Sequence, residues 1–243
     1  MSQVSVVIGA SGGIGQAVVT QLSDQGESVY ALSRAGTALS VWGDNVETQA
    51  LDSNDEAAIA AFIQSLKDKG EVVRLAICTI GMLHDDNASP AISPEKKLED
   101  LDTAQLTAYF SVNTILPALW LKHLVGVVDK EQATVVCLSA RVGSISDNRL
   151  GGWYGYRASK AALNMLLKTA AIEYNRRTKT TTLVSYHPGT VDTGLSQPFQ
   201  ANVKPEKLFE PEFTAKQLLT HIKELDLKDS PHFIDWDGKP VSW

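Results

Sequence analysis

The strongest constraint on this chain is local. The apolar run Val4-Ser-Val-Val-Ile8 passes in one step into Gly9-Ala-Ser-Gly-Gly13-Ile-Gly15 and then into a segment of helical period. A strand that ends on glycines and opens a helix demands a tight turn in which backbone comes close to backbone. The alternation then repeats. Apolar runs at residues 29–33, 72–80, 133–138 and 181–186 are interleaved with helical periods at 13–26, 53–69, 103–128 and 153–175. Strand and helix in turn give parallel strands, which need helices on both faces to bury them. The expectation is an α/β fold built on a doubly wound parallel sheet of about seven strands.

Finer signals set boundaries. Ser53-Asn-Asp-Glu56 has capping-box spacing and should start the helix that runs to Lys69, with Gly70 as its stop. The run at 72–80 should be buried on both faces. Residues 81–102 are polar, hold Pro90 and Pro94, and read as a loop. A second polar loop, 193–211, carries no readable chemistry and precedes a helix at 214–225. A last strand lies in His232-Phe-Ile-Asp-Trp, before an Asp237-Gly238 turn. With no internal repeat or linker, residues 1–243 are expected to form a single domain carrying every site.

Composition excludes several classes of function. A content of 44% hydrophobic and 21% charged residues argues against disorder, and a net charge of −6 leaves no basic footprint for nucleic acid or an anionic membrane. The chain is long enough to need neither a disulfide nor a metal. Cys78 and Cys137 sit inside apolar runs and read as small core residues, which fits a reducing compartment. The N-terminus has neither a basic nor a long apolar segment, and no run approaches the ~20 residues that span a bilayer. A soluble, cytoplasmic protein is expected.

Gly9, Ser11, Gly13, Ile14 and Gly15 lie where a turn can approach a pyrophosphate, with unpaired N–H groups and the positive end of a helix dipole beyond. This is a Rossmann-type nucleotide site with the spacing GxxxGxG. A nucleotide site must also distinguish a ribose 2′-hydroxyl from a 2′-phosphate. The second strand ends Ser33-Arg34 with no carboxylate, so a guanidinium stands where an acid would select NAD. NADP(H) is therefore expected over NAD(H). Asp52, after the third strand, is placed either to meet the adenine amine or simply to start a helix beside Ser53.

Tyr156-Arg-Ala-Ser-Lys160 sets a phenol and an ammonium four apart on one helix face. A cation beside a phenol favours the phenolate and brings its proton within exchange range. Tyr154 has no lysine four residues on. Asn113 falls on the apolar stripe of the 103–128 helix, and Pro117, four residues later, offers its carbonyl no N–H. The freed carbonyl is either a water site or a plain kink.

The glycine turn, Asn113 within Phe110-Ser-Val-Asn, Tyr156 with Lys160, and His187-Pro-Gly-Thr-Val-Asp-Thr193 together resemble the short-chain dehydrogenase/reductase family, in order and over essentially the whole chain. Pro94-Glu-Lys-Lys, Ser139-Ala-Arg-Val-Gly-Ser-Ile145, Tyr156-Arg-Ala-Ser-Lys-Ala-Ala-Leu-Asn164 and Asp235-Trp-Asp-Gly resemble its C-factor/sniffer-like branch, which holds carbonyl reductases and proteins of cell–cell signalling. The resemblance implies roles. Tyr156 is the general acid/base. Lys160 binds nicotinamide ribose hydroxyls and lowers the tyrosine pKa. Asn113 holds a relay water, and Pro188, Gly189, Thr190, Val191 and Thr193 cradle the nicotinamide carboxamide. The family's Asn-Ala-Gly stands here as Thr79-Ile80-Gly81, which should weaken a structural contact. Of the family's Ser-Ser pair only Ser139 is present, with Ala140 second; Ser139, Ser144 or no serine then assists the substrate oxygen. His84 and His187 read as ordinary loop or strand-end residues.

Two functions follow from these residues. One is a reductase or dehydrogenase acting on a small carbonyl or alcohol. The other is a dinucleotide-binding regulatory or signalling protein with little turnover. Leu163, Leu166, Leu167, Ala170, Ala171 and Tyr174 give their helix a wide apolar face, and with the family resemblance this implies a homodimer or homotetramer.

Overall fold

The computed structural model describes residues 1–36 and 38–243. Its elements alternate as the sequence pattern requires. They are β1 (Ser2–Ile8), α1 (Gly13–Asp24), β2 (Val29–Ser33), β3 (Val46–Ala50), α2 (Glu56–Asp68), β4 (Glu71–Cys78), α3 (Thr103–Phe110), α4 (Leu116–Leu124), β5 (Ala133–Leu138), α5 (Tyr154–Arg177), β6 (Thr181–His187), β7 (Thr190–Val191), β8 (Leu208–Phe209), α6 (Pro211–His221) and β9 (His232–Asp235). Seven strands form one sheet in the order β3-β2-β1-β4-β5-β6-β9, all pairs parallel; β7 and β8 pair separately. The expected doubly wound sheet is present. Strand order reverses between β1 and β4, so a crevice opens beyond their carboxyl ends.

Side chains alternate across each strand and feed two cores. Val6 and Ile8 pack with Phe62, Trp120, Leu124, Leu163 and Leu167 beneath α2, α4 and α5. Val7, between them, packs with Val18, Leu22, Ala215 and Leu218 beneath α1 and α6. No helix among the described residues is long and apolar enough to cross a membrane.

Several boundaries differ from expectation for physical reasons. Asp55, not Ser53, caps α2 by accepting the Ala58 N–H at 3.1 Å. The Ser53 hydroxyl is occupied elsewhere, accepting the Trp120 indole N–H at 3.0 Å. β4 is buried at Val73 and over residues 76–78, is only half-buried elsewhere, and exposes Arg74 near its middle. The single helix expected over 103–128 is interrupted by a π-helical turn, residues 111–115, just ahead of Pro117. Proline cannot donate to the Asn113 carbonyl, and the wider turn lies where that bond is missing. The 193–211 loop holds two short 3-10 turns and β8, and α6 starts at Pro211 rather than at residue 214.

Four of the six residues assigned to an external apolar face, Leu163, Leu167, Ala171 and Tyr174, are buried in the first core. α5 needs them against the sheet. The outward apolar residues of this region are Ile115, Met165, Leu166 and Ile172.

Candidate active site

At the reversal point the chain is held by side chain as well as backbone. Gly9 has φ +85°, and a Cβ there would stand 2.6 Å from the Thr79 hydroxyl oxygen. That hydroxyl donates to the carbonyls of Ile8 at 2.9 Å and Gly9 at 3.0 Å. The contact that the Thr79-Ile80-Gly81 departure was expected to weaken is thus made by threonine itself. A Cβ on Gly15 would run into the Gly9 carbonyl, so the start of α1 can lie directly on the turn.

Gly12 caps α1 without a side chain, and no acid stands in its first turn. The helix therefore presents bare N–H groups and its positive end to the crevice. A cavity of about 620 Å³ begins there at Gly9, Ser11 and Gly12, passes Ser33, Arg34 and Asp52, and reaches Gly81. Gly13 and Gly15 do not line it; their contribution is to packing. Arg34 is exposed at its edge and makes no hydrogen bond or ion pair among the described residues. Asp52 accepts the Asn54 backbone N–H at 3.0 Å and side-chain amide at 2.9 Å. Those bonds, and then the charge of Arg34, hold its carboxyl below the usual range. Asp52 lines the cavity and also opens the turn into α2.

A second cavity, about 310 Å³, shares Thr79, Ile80 and Gly81 with the first. It is lined by Ile14, Ser139, Ala140, Tyr156, Lys160, His187, the Pro188–Val191 stretch and Thr193. The two cavities form one trough along the carboxyl edge of the sheet. The glycine turn, Thr79-Ile80-Gly81, the Tyr156–Lys160 pair and the Pro188–Thr193 segment are brought together along it.

Tyr156 and Lys160 lie one turn apart on α5, 8% and 3% exposed. Lys160 Nζ donates to the Leu138 carbonyl at 2.9 Å and sits 5.9 Å from the centre of the Tyr156 ring. Burial depresses the Lys160 pKa to about 8. Lys160 therefore remains mostly charged at neutral pH, with two N–H donors beyond the one given to Leu138. Burial pushes the Tyr156 phenol above its ordinary value. The expected lowering by Lys160 is not met in this state. At that distance, with the ammonium turned to a carbonyl, desolvation of the phenolate outweighs the attraction.

Asn113 is fully buried. Its amide donates to the Met82 carbonyl at 2.9 Å and to Ser159 Oγ at 3.1 Å, and its oxygen accepts the Met82 N–H at 2.8 Å. Those bonds tie the π-turn to the loop after β4. Ser139 lies just past the end of β5 and lines the second cavity, but its hydroxyl donates to Asn164 Oδ1 at 2.6 Å. Asn164 Oδ1 also accepts from Ser185 at 3.0 Å. Ser144 lines a different cavity, with Ile145, Asn148 and Gly151, and accepts the Asp147 N–H at 3.2 Å.

Sequence reasoning missed much of the wall around Tyr156. Trp153 and Tyr109 meet its ring edge-on, at 6.1 and 6.2 Å between centres, and Phe199 meets Trp153 edge-on at 5.4 Å. Leu83, Val142, Leu195 and Val203 complete an apolar lining. Phe199, Leu195 and Val203 come from the loop judged unreadable; their apolar character in a polar stretch was the available signal. His84 anchors that loop through the Gly194 carbonyl at 2.9 Å and packs on Phe199. His187 also lines the cavity. Burial lowers its pKa to about 4, so it is neutral there.

Comparison with known proteins agrees with this geometry. The short chain dehydrogenase family model matches residues 3–204. The 1-hydroxy-2-glutathionyl-2-methyl-3-butene dehydrogenase of Rhodococcus sp. (strain AD45) is 28% identical over 239 residues, 98% of each chain. C-signal of Myxococcus xanthus is 30% identical over 147 residues, 60% of this chain and 83% of that one. Two solved structures share the fold over 100% of both chains. A Burkholderia multivorans protein described as a short-chain dehydrogenase/reductase, with bound NADP, has a TM-score of 0.83 at 21% identity. Carbonyl reductase Sniffer of D. melanogaster has 0.82 at 18%. With the family model spanning most of its length, this chain belongs to the short-chain dehydrogenase family.

Proposed function

We propose that this chain is an NADP(H)-dependent oxidoreductase that reduces small apolar carbonyl compounds, or oxidises the matching alcohols, in the cytoplasm. The observation that carries the reading is the trough itself. A bare helix terminus and an uncommitted Arg34 lie toward one end, a buried tyrosine–lysine pair at the other, with no break between. The NADP bound to the Burkholderia multivorans relative supports the choice of nucleotide, and the carbonyl reductase activity in the Sniffer name supports the chemistry. The residues fit the nucleotide. The turn at Gly9, Ser11 and Gly12 with the α1 terminus would hold the pyrophosphate, Ser33 and Arg34 the 2′-phosphate, and Asp52 the adenine. Gly81, Ile14, Pro188, Gly189, Thr190, Val191 and Thr193 would line the nicotinamide end. When bound, the nucleotide supplies the hydride that goes to the carbonyl carbon.

The protein supplies the proton. The Tyr156 hydroxyl donates to the carbonyl oxygen as negative charge develops there, and its raised pKa keeps the proton in place until then. The two remaining Lys160 donors are placed for ribose hydroxyls. The Asn113 carbonyl, denied a partner by Pro117, is a seat for a water that returns the proton from solvent. Ser139 can turn its donation from Asn164 to the substrate oxygen, because Ser185 still satisfies Asn164. Ala140, Leu83, Val142, Trp153 and Phe199 favour an apolar or aryl substituent and offer nothing to a charged one. A homodimer or homotetramer through Ile115, Met165, Leu166 and Ile172 would cover the apolar residues left outward. Static light scattering at micromolar concentration should give a multiple of 26.3 kDa; a monomer at that concentration would remove this part of the proposal.

Tyr156→Phe should bind NADPH as the wild type does and lose ~10²–10⁴-fold in turnover of a reducible aryl ketone. In the same assay Ser139→Ala should lose ~10²–10³-fold, the cost of one donor to a developing oxyanion. Ser144→Ala should lose nothing. Wild-type rates in Tyr156→Phe would refute the mechanism.

Arg34→Ala should weaken NADPH by roughly ten- to a hundredfold, the worth of a charge-assisted contact, and leave NADH nearly unchanged. Fluorescence titration of both nucleotides measures it. Equal losses, or a wild type that prefers NADH, would contradict the assignment of Arg34.

A further inference from the structure

The helix that carries Tyr156 begins badly by local criteria. Trp153, the residue before α5, has φ 55° and ψ 43° and contributes no capping side chain. Gly151 and Gly152 ahead of it are also left-handed. For two glycines that conformation is free, but for a tryptophan it is strained and must be held from outside.

The hold comes from sixty residues upstream of Gly155. The main-chain carbonyl of Glu95 accepts the Trp153 N–H, and Glu95 Oε2 accepts the Gly155 N–H at 3.0 Å. One residue thus grips the chain on both sides of the strained position. Glu95 is 2% exposed, and no cationic side chain pairs with it among the described residues. Its carboxyl instead faces the N-terminus of a 24-residue helix, whose first N–H groups are available to an acceptor. The fit is close. A Cβ on Gly155 would stand 2.8 Å from Glu95 Oε1 and 2.6 Å from the Tyr109 ring. Glu95 itself lines neither cavity of the trough. The held residue does. The Trp153 indole is a wall of the second cavity, set edge-on to Tyr156 and against Phe199.

We propose that Glu95 is a positioning residue: by clasping left-handed Trp153 from both sides, it sets the indole that shapes the substrate end of the trough and keeps Tyr156 in register. The clasp is a statement about Trp153, and its effect on rate rests on the reductase reading above. Pro94, which precedes it, is buried and fixes the approach of this loop to α5.

The test labels the full chain with 5-fluorotryptophan, giving fluorine resonances from its five tryptophans, with Trp153 assigned by its loss in Trp153→Gly. Glu95→Ala should shift or broaden the Trp153 resonance and leave those of the other four in place. Glu95→Gln, which keeps an oxygen to accept the Gly155 N–H, should restore it. In kinetics with NADPH and an aryl ketone, Glu95→Ala should raise KM and lower kcat, together at least tenfold in kcat/KM, with the NADPH Kd unchanged. In the Trp153→Gly background, where glycine takes the left-handed conformation freely, adding Glu95→Ala should cost little more. An unmoved Trp153 resonance in Glu95→Ala, losses that multiply in the double variant, or a weakened NADPH Kd would overturn the proposal. If Glu95→Ala fails to fold, Glu95→Asp draws the carboxylate back by one methylene and is judged by the same readouts. A shifted Trp153 resonance in a protein that reduces no carbonyl would leave the clasp standing and defeat the reductase reading alone.

Discussion

The carboxyl edge of this sheet depends on how closely three pieces of backbone approach one another. The turn after β1, the start of α1 and the end of β4 meet where strand order reverses, and there is room for no side chain between the Gly9 carbonyl and Gly15. The Thr79 hydroxyl ties the arrangement by donating to Ile8 and Gly9. Because that junction is tight, the α1 terminus points its bare N–H groups into the crevice instead of into a neighbouring loop. Because it sits at the reversal point, one trough reaches from Arg34 to Tyr156. A Cβ at Gly15 would meet the Gly9 carbonyl and Ala10 and so push α1 away from the turn.

The Tyr156–Lys160 pair obeys a different constraint. Burial raises the Tyr156 phenol and depresses Lys160, opposing the charged form of each. In the structure as it stands the lysine spends one donor on Leu138 and does little for the tyrosine. Under the proposed mechanism this suits a resting proton donor, since a phenol that ionised early would have nothing to give. Trp153, Tyr109 and Phe199 set apolar surface beside the same spot, and electrostatic interactions are stronger where the surroundings are less polar.

What was legible in the sequence follows from range. β5 and the Tyr156–Lys160 spacing depend on residues within one strand or one helical turn, and periodicity reads those directly. The glycine turn is read equally well, because its constraint is steric and local. The tertiary partners were not legible. Ser53 has the spacing of a cap, yet the Trp120 indole claims its hydroxyl from 67 residues away and Asp55 caps instead. The broad apolar face on α5 reads as a docking surface until the sheet is seen to absorb Leu163, Leu167, Ala171 and Tyr174. The lysine effect on Tyr156 was misjudged because spacing gives proximity along a helix and says nothing of desolvation. Trp153 in a left-handed conformation is invisible to any propensity argument, since tryptophan disfavours it and the reason it persists lies in Glu95. The serine question shows the middle case. β5 ends at Leu138, so Ser139 as well as Ala140 lines the cavity, and only the tertiary bond to Asn164 shows where its hydroxyl goes.

On the proposed reading, NADPH held in the trough gives a hydride to a carbonyl carbon beside Tyr156. The most direct measurement follows the hydride itself. The protein is mixed with NADPH carrying deuterium on one face of the nicotinamide C4, each face in turn, together with a panel of apolar aldehydes and ketones, and the products are analysed by mass spectrometry and NMR. The account predicts an alcohol bearing one deuterium on the former carbonyl carbon, transferred from one face of the nicotinamide only. A protein that binds NADPH and transfers label to no member of the panel would contradict it, and would favour a nucleotide-binding regulator in its place.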